Sequence, residues 1–251
     1  MLSILILLSL ILWTGCKKKG TDPEPVEITA DYYAPRAAEA PTINGQADED
    51  CWDQADWAEI NYLWLGNAEA DPQDFSGKYK IVWTAEKLYF LFEITDNVLS
   101  DIYNDPLDRY YMDDCLEIFV DEDHSGGDHQ CNYNAFAYHI ALDYQAVDLG
   151  ISCNPRLLTD HLDIMRTSSG NRHTWEIGMN VYTDAYNEVL GLNSSKAELQ
   201  ADKSIGYATA YCDDDGQGVR EHFYGSVDIP GEDKNVAWHD ASVFGTVLLV
   251  D

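Results

Sequence analysis

The sequence predicts an all-β protein, an antiparallel two-sheet β-sandwich of immunoglobulin-like or jelly-roll-like type, on three observations. Apolar side chains recur at every second position in several short runs, the period of a strand with one buried face. Loops rich in Gly, Asp and Asn separate those runs, and these residues favour turns over helices. The composition is 12% aromatic, with 7 Trp and 16 Tyr, and such side chains fit a pleated, half-buried surface. Many short strands with polar turns suit two packed sheets; a closed barrel is the structural alternative.

In chain order, the first segment is a leader. Leu2 to Leu12 is almost wholly apolar, too short for a mature membrane span, and ends at Gly15-Cys16 before Lys17, Lys18 and Lys19. This resembles the lipobox of bacterial lipoproteins, which implies removal of residues 1–15 and lipidation of Cys16. Trp13 stands where an aliphatic residue is usual, and no base precedes the apolar run. Residues 16–38, with Pro23, Pro25 and Pro35, read as the lipidated cysteine and a flexible tether. Residues 39–251 read as one domain.

Within it, Asp48 to Ala58 carries the one helical hint. Tyr79 to Thr84 and Leu88 to Thr95 form a hairpin, with Leu88, Phe90, Phe92 and Ile94 on one face. Cys115 to Asp121 turns Leu116, Ile118 and Val120 inward and Glu117 and Phe119 the other way. Ala135 to Asp143 points Phe136, Tyr138, Ile140 and Leu142 inward and His139 outward. Thr174 to Val181 follows the same pattern, and further strands fall at 205–212, 221–228 and 243–250. Trp52, Trp83 and Trp175 read as core; Trp64 and Tyr110 are aromatics without an assigned place.

The 251 residues hold 45 acids against 15 bases, a formal charge of −30. That field repels phosphate backbones and argues against nucleic-acid binding. Beyond Cys16 there are five cysteines, so at least one is unpaired; Cys131–Cys153 is a possible bridge, and Cys115 reads as a small buried hydrophobe. No serine-nucleophile elbow, zinc-protease motif or phosphate loop occurs. The chain therefore reads as no enzyme.

Four stretches, in order, resemble family 9 carbohydrate-binding modules: Pro41-Thr42-Ile43-Asn44-Gly45 through Trp52; Lys80-Ile81-Val82-Trp83 through Phe90; Tyr111-Met112-Asp113-Asp114-Cys115-Leu116-Glu117-Ile118-Phe119-Val120-Asp121; and Trp238-His239-Asp240 through Phe244-Gly245. The resemblance implies a non-catalytic sandwich that holds an oligo- or polysaccharide between two aromatic rings. A pyranose packs its C–H faces on aromatic rings and its hydroxyls on polar partners. Carried over residue by residue, Trp238 is one ring, Tyr111 stands where the other ring is a Trp, Glu117 accepts from hydroxyls, and His139 is the basic contact. By alternation alone Glu117 is equally a solvated strand acid.

Asp121, Asp123 and Asp128 begin a Gly-containing acidic loop, a set of hard oxygen ligands for a structural calcium ion. Asp213-Asp214-Asp215-Gly216 is a weaker version. The function expected is therefore sugar binding by a lipoprotein anchored to a membrane of the cell envelope. A structural or protein-interaction lipoprotein is the alternative, as is a haem-binding sandwich drawing on Met112, Met165, Met179 and His139.

Overall fold

The computed structural model describes residues 29–251. The expected leader, the expected lipidation site Cys16 and most of the expected tether lie outside the described residues. Along the described chain the strands are β1 (Tyr32–Pro35), β2 (Ala58–Ile60), β3 (Tyr62–Leu65), β4 (Phe75–Trp83), β5 (Leu88–Asp96), β6 (Cys115–Asp121), β7 (Phe136–Ala141), β8 (Ala146–Leu149), β9 (Pro155–Leu157), β10 (Leu162–Ser169), β11 (Arg172–Met179), β12 (Ser204–Asp213), β13 (His222–Gly225) and β14 (Gly245–Val250).

They form two open sheets, so the sandwich holds and the barrel does not. One is antiparallel throughout, in the order β10-β11-β5-β4-β2. The other runs β1-β14-β12-β6-β7-β8-β9, with β13 pairing both β12 and β3. Strand β12 is shared along one edge: its first half pairs with β14 and its second half with β13. The expected antiparallel pattern has one exception, β1, which runs parallel to β14 with Tyr32 opposite Val247.

Period-two alternation places Phe90, Phe92 and Ile94 of β5, Leu116, Ile118 and Val120 of β6, and Phe136, Tyr138 and Ile140 of β7 between the sheets, with Trp83 and Trp175. Fully burying each such side chain stabilises the fold by roughly 1.5–3 kcal/mol. Both outer faces are covered as well. On the nine-stranded sheet, Cys115, Phe119, Ala137, Ala208, Ala210 and Cys212 lie under Ile229, Ala237 and Phe244 of the chain between β13 and β14. The run of alanines lets this covering chain approach the sheet closely. Trp64 belongs to the same cluster, stacked edge-on against Phe223 at 5.2 Å and donating Nε1–H to the Val227 carbonyl.

On the five-stranded sheet, Val82, Tyr89 and Leu91 lie under Cys51, Trp52 and Ala55. The helical hint is thus a short 3-10 turn, Asp50–Gln54. Buried Glu176 fastens this arm: its carboxylate accepts from Asn44 N (2.9 Å), Gly45 N (2.6 Å) and Trp52 Nε1 (3.1 Å).

The fold starts before Glu39, because Tyr32 and Ala34 of β1 enter the core. Strands β2, β3, β8 and β9 span only three or four residues each, too few for alternation to register. Cys131 and Cys153 are joined, their Cα atoms 5.0 Å apart.

Candidate functional site

Two loops leave a gap in the cover over the outer face of the nine-stranded sheet, and the gap is a cleft of about 300 Å³. One loop connects β5 to β6 and carries Tyr110 and Tyr111. It is tied to the neighbouring turn after β12 by Tyr103, whose hydroxyl donates to the Gly218 carbonyl at 2.8 Å. Asp114, at the end of the loop, accepts from Ser100 N and Asp214 N. The other loop connects β13 to β14 and carries Asn235 and Trp238. There the Trp238 indole donates to the Asn235 carbonyl at 3.1 Å. The His129 Nε2–H donates to the Ala237 carbonyl at 3.0 Å; burial lowers the His129 pKa to about 4, keeping it a neutral prop.

The floor comes from the sheet itself. Glu117 of β6 and His139 of β7 are register partners on its outer face. All four residues expected at a sugar site, Trp238, Tyr111, Glu117 and His139, line this one cleft, with Tyr110, Leu149, Arg220, Phe223 and Asn235. Tyr110 stands edge-on to His139 at 4.9 Å. The ring partner of Tyr111 is Tyr110, at 5.4 Å, and that of Trp238 is His239, at 4.7 Å; Tyr111 and Trp238 are not stacked on each other.

Glu117 is not the solvated strand acid that alternation allowed, because it is 0% exposed. A buried carboxylate needs counter-charge and hydrogen bonds; here Oε1 has both, and Oε2 has no hydrogen-bond partner. His139 Nε2 lies 3.3 Å from Oε2, Arg220 Nη1 lies 3.8 Å from Oε1, and the Cys212 thiol donates to Oε1 at 3.0 Å. The His139 Nδ1–H donates to the Ala137 carbonyl, which aims the opposite nitrogen at Glu117. The Arg220 guanidinium lies 4.1 Å over the Phe223 ring and 5.9 Å from Tyr111. Burial opposes its charge, but the neighbouring Cys212 and Glu117 outweigh that and hold its pKa up.

Arg220, Asn235 and Phe223 escaped the sequence reading. Arg220 sits between Gly218 and Glu221 in an irregular stretch, and its one clue was chemical: a buried Glu117 needs a base. Trp64 takes no part in the cleft. The haem alternative fares poorly, since Met165 and Met179 lie on β10 and β11, in the opposite sheet from His139. Met112 lies in the loop before β6.

Asp121 is buried, with Oδ2 accepting from Gly126 N at 2.7 Å and Oδ1 lacking a partner. Burial raises its pKa, and Asp123 beside it adds to the rise. Asp128 does not join them in a group of three converging ligand atoms. Among the described residues such groups are Asp96, Asp114 and Asp213; Asp74, Asp213, Glu221 and His222; and Cys115, Glu117 and Cys212. The weaker acidic turn therefore contributes Asp213, while Asp214 closes its own turn by accepting from Gln217 N and Gly218 N.

Among curated proteins, none matches the chain. Among solved structures, two family 9 carbohydrate-binding modules from Caldicellulosiruptor kristjanssonii share the fold. The one in complex with cellotriose is 17% identical, with a TM-score of 0.64, over 87% of this chain and 93% of that one. The one in complex with glucose is 17% identical, with a TM-score of 0.63, over 86% and 95%. The sequence profile of the Carbohydrate family 9 binding domain-like family matches residues 43–251, and the chain belongs to that family.

Proposed function

We propose that the cleft binds carbohydrate and performs no chemistry on it. The observation that carries this is the pairing of two separate aromatic walls, Tyr111 and Trp238, with a polar floor of Glu117, His139 and Arg220. The rings supply apolar area for the C–H faces of a pyranose, and the floor supplies both acceptors and donors for its hydroxyls. Glycoside hydrolysis uses two carboxyl groups flanking the bond. Of the residues lining this cleft only Glu117 is acidic, and its Oε1 already accepts from the Cys212 thiol beside Arg220. The related modules seen with cellotriose and glucose support a glucose-based oligo- or polysaccharide as the ligand class.

The test is calorimetric titration with glucose, cellotriose and a panel of other oligosaccharides. A dissociation constant between about 1 μM and 1 mM is expected, the range of roughly −8 to −4 kcal/mol. Absence of any heat up to millimolar sugar, or unchanged binding by Trp238→Ala, refutes the proposal.

Two further parts of the reading go with it. The lipobox-like Gly15-Cys16 supports anchoring of the mature chain by lipid to a cell-envelope membrane; metabolic labelling with a fatty-acid analogue should mark the wild type and not Cys16→Ser. The unpartnered buried Oδ1 of Asp121, next to Asp123, supports a structural calcium ion in that loop. Added calcium should then raise the melting temperature of chelator-treated protein, and Asp121→Asn should remove that response.

A further inference from the structure

Beneath the cleft floor lies a pair of thiols that sugar binding does not require. Cys115 on β6 and Cys212 on β12 are register partners, facing each other across an antiparallel pair on the outer side of the sheet. Residues so opposed have Cα atoms about 4.5–5.5 Å apart, inside the roughly 4.4–6.8 Å span that a disulfide bridges. The two sulfurs and a Glu117 carboxylate oxygen all lie within 4.8 Å of one another. The remaining free thiol among the described residues, Cys51, lies in the cover of the opposite sheet.

We propose that Cys115 and Cys212 close as a cross-strand disulfide directly under the cleft, and that closure changes the hydrogen bonding of Glu117. The second half gains its importance from the reading of the cleft as a sugar site; the first half does not depend on it. The chemistry is thiol–disulfide exchange with a low-molecular-weight disulfide such as oxidised glutathione. The Cys212 thiolate, formed before the strands close because burial raises the pKa of this thiol in the folded chain, attacks one sulfur of the small disulfide and releases one small thiol. Cys115 then attacks the Cys212 sulfur of the mixed disulfide and releases the second. Two S–H bonds are lost and one S–S bond forms, and the two electrons and two protons leave on the small thiols. Both sulfurs are buried in the folded chain, so the exchange is completed as the strands come together.

The consequence for the cleft is specific. In the dithiol form the Cys212 S–H donates to Glu117 Oε1 at 3.0 Å, and a disulfide has no hydrogen to donate. Oε1 then keeps Arg220 and has acceptor capacity to spare for a ligand hydroxyl, which should tighten binding by about tenfold.

The test uses the full-length protein matured in an oxidising compartment, alkylated while unfolded and then digested for mass spectrometry. A peptide pair joined through Cys115 and Cys212 is expected. Full alkylation of both cysteines, or their retention as ligands of a bound soft metal, overturns the proposal. The Glu117 carboxyl carbon resonance should differ between this oxidised protein and Cys115→Ala, with Cys115→Val as a second variant should alanine leave the site underpacked. Identical resonances overturn the second half. Sugar titration of the same two forms should show the tenfold difference. Failure of either form to bind any sugar would count against the reading of the cleft, and the peptide map and the carboxyl resonance decide the disulfide without it.

Discussion

Replacing Glu117 by Gln keeps the shape of the side chain and removes its charge, so the variant measures what the buried ion pair contributes. In the native protein Arg220 is 10% exposed at its side chain and lies 3.8 Å from the carboxylate. At that distance, with an effective dielectric of about 20, the attraction is about 4 kcal/mol. In Glu117→Gln the guanidinium keeps only the Cys212 sulfur and the faces of Phe223 and Tyr111. Breaking a buried pair from one side costs about 3–5 kcal/mol, because the other charge is left uncompensated. For a chain of this size that corresponds to a melting temperature lower by roughly 6–20 °C. Adding Arg220→Met should recover most of the loss, since an apolar side chain of similar length carries no desolvation cost. Urea unfolding of the wild type, both single variants and the double variant gives the coupling directly. A single variant within about 1 kcal/mol of the wild type, or a double variant no more stable than Glu117→Gln, would show that the pair does not hold the floor together.

Other substitutions separate site from scaffold. Trp238→Ala should weaken sugar binding at least tenfold while costing about 1–2 kcal/mol of stability, as it lies half-buried at the margin of the outer cluster; equal affinity by calorimetry would remove the aromatic wall from the site. Burial pushes the Asp148 pKa from 3.8 up to about 7, so between those values the folded chain holds a proton that the unfolded chain has released. The stability this group contributes is full below pH 4 and lost as pH rises through 7, with an upper bound on the order of 4 kcal/mol. Urea midpoints at pH 5 and 8.5 should fall further in the wild type than in Asp148→Asn, and parallel falls would contradict the assignment. At Gly225 an added Cβ would fall inside the Trp64 ring, so Gly225→Ala should destabilise by more than about 2 kcal/mol; a neutral effect on thermal melting would mean that Trp64 is free to move aside.

The strands between the sheets were legible because each has one apolar face over six or more residues, as in β5, β6 and β7. Of the four residues expected at the cleft, Trp238, Tyr111 and Glu117 were legible because they sit in stretches that resemble family 9 modules, and His139 was placed from the strand that follows. Glu117 was only half readable. Period two turns it away from the core correctly, but exposure does not follow, since the chain between β13 and β14 lies over that face. The trace of that cover was the outward alanines Ala137, Ala208 and Ala210, and small side chains alone do not reveal what lies on them. Arg220 was hidden because an irregular loop has no period and its partner is distant in sequence. β1 was hidden for a different reason: its hydrogen bonds and its apolar face belong to a partner at the other end of the chain.

That last pairing governs the order in which the molecule can be assembled. Tyr32 meets Val247, the Trp83 indole donates to the Val250 carbonyl, and Arg36 pairs with Asp251. A chain made from its N-terminus has β1 available long before β14, so this edge of the sheet cannot close until β14 has been made. Until then Tyr32 and Ala34 have no core to enter, and the unfinished edge of β12 offers free backbone groups to any neighbouring strand. Closing so long a loop is also slow relative to forming the local β4–β5 hairpin. Making β14 is therefore the event that lets the sandwich seal, and loss of Gly245–Val250 should leave a nearly finished domain unable to shut.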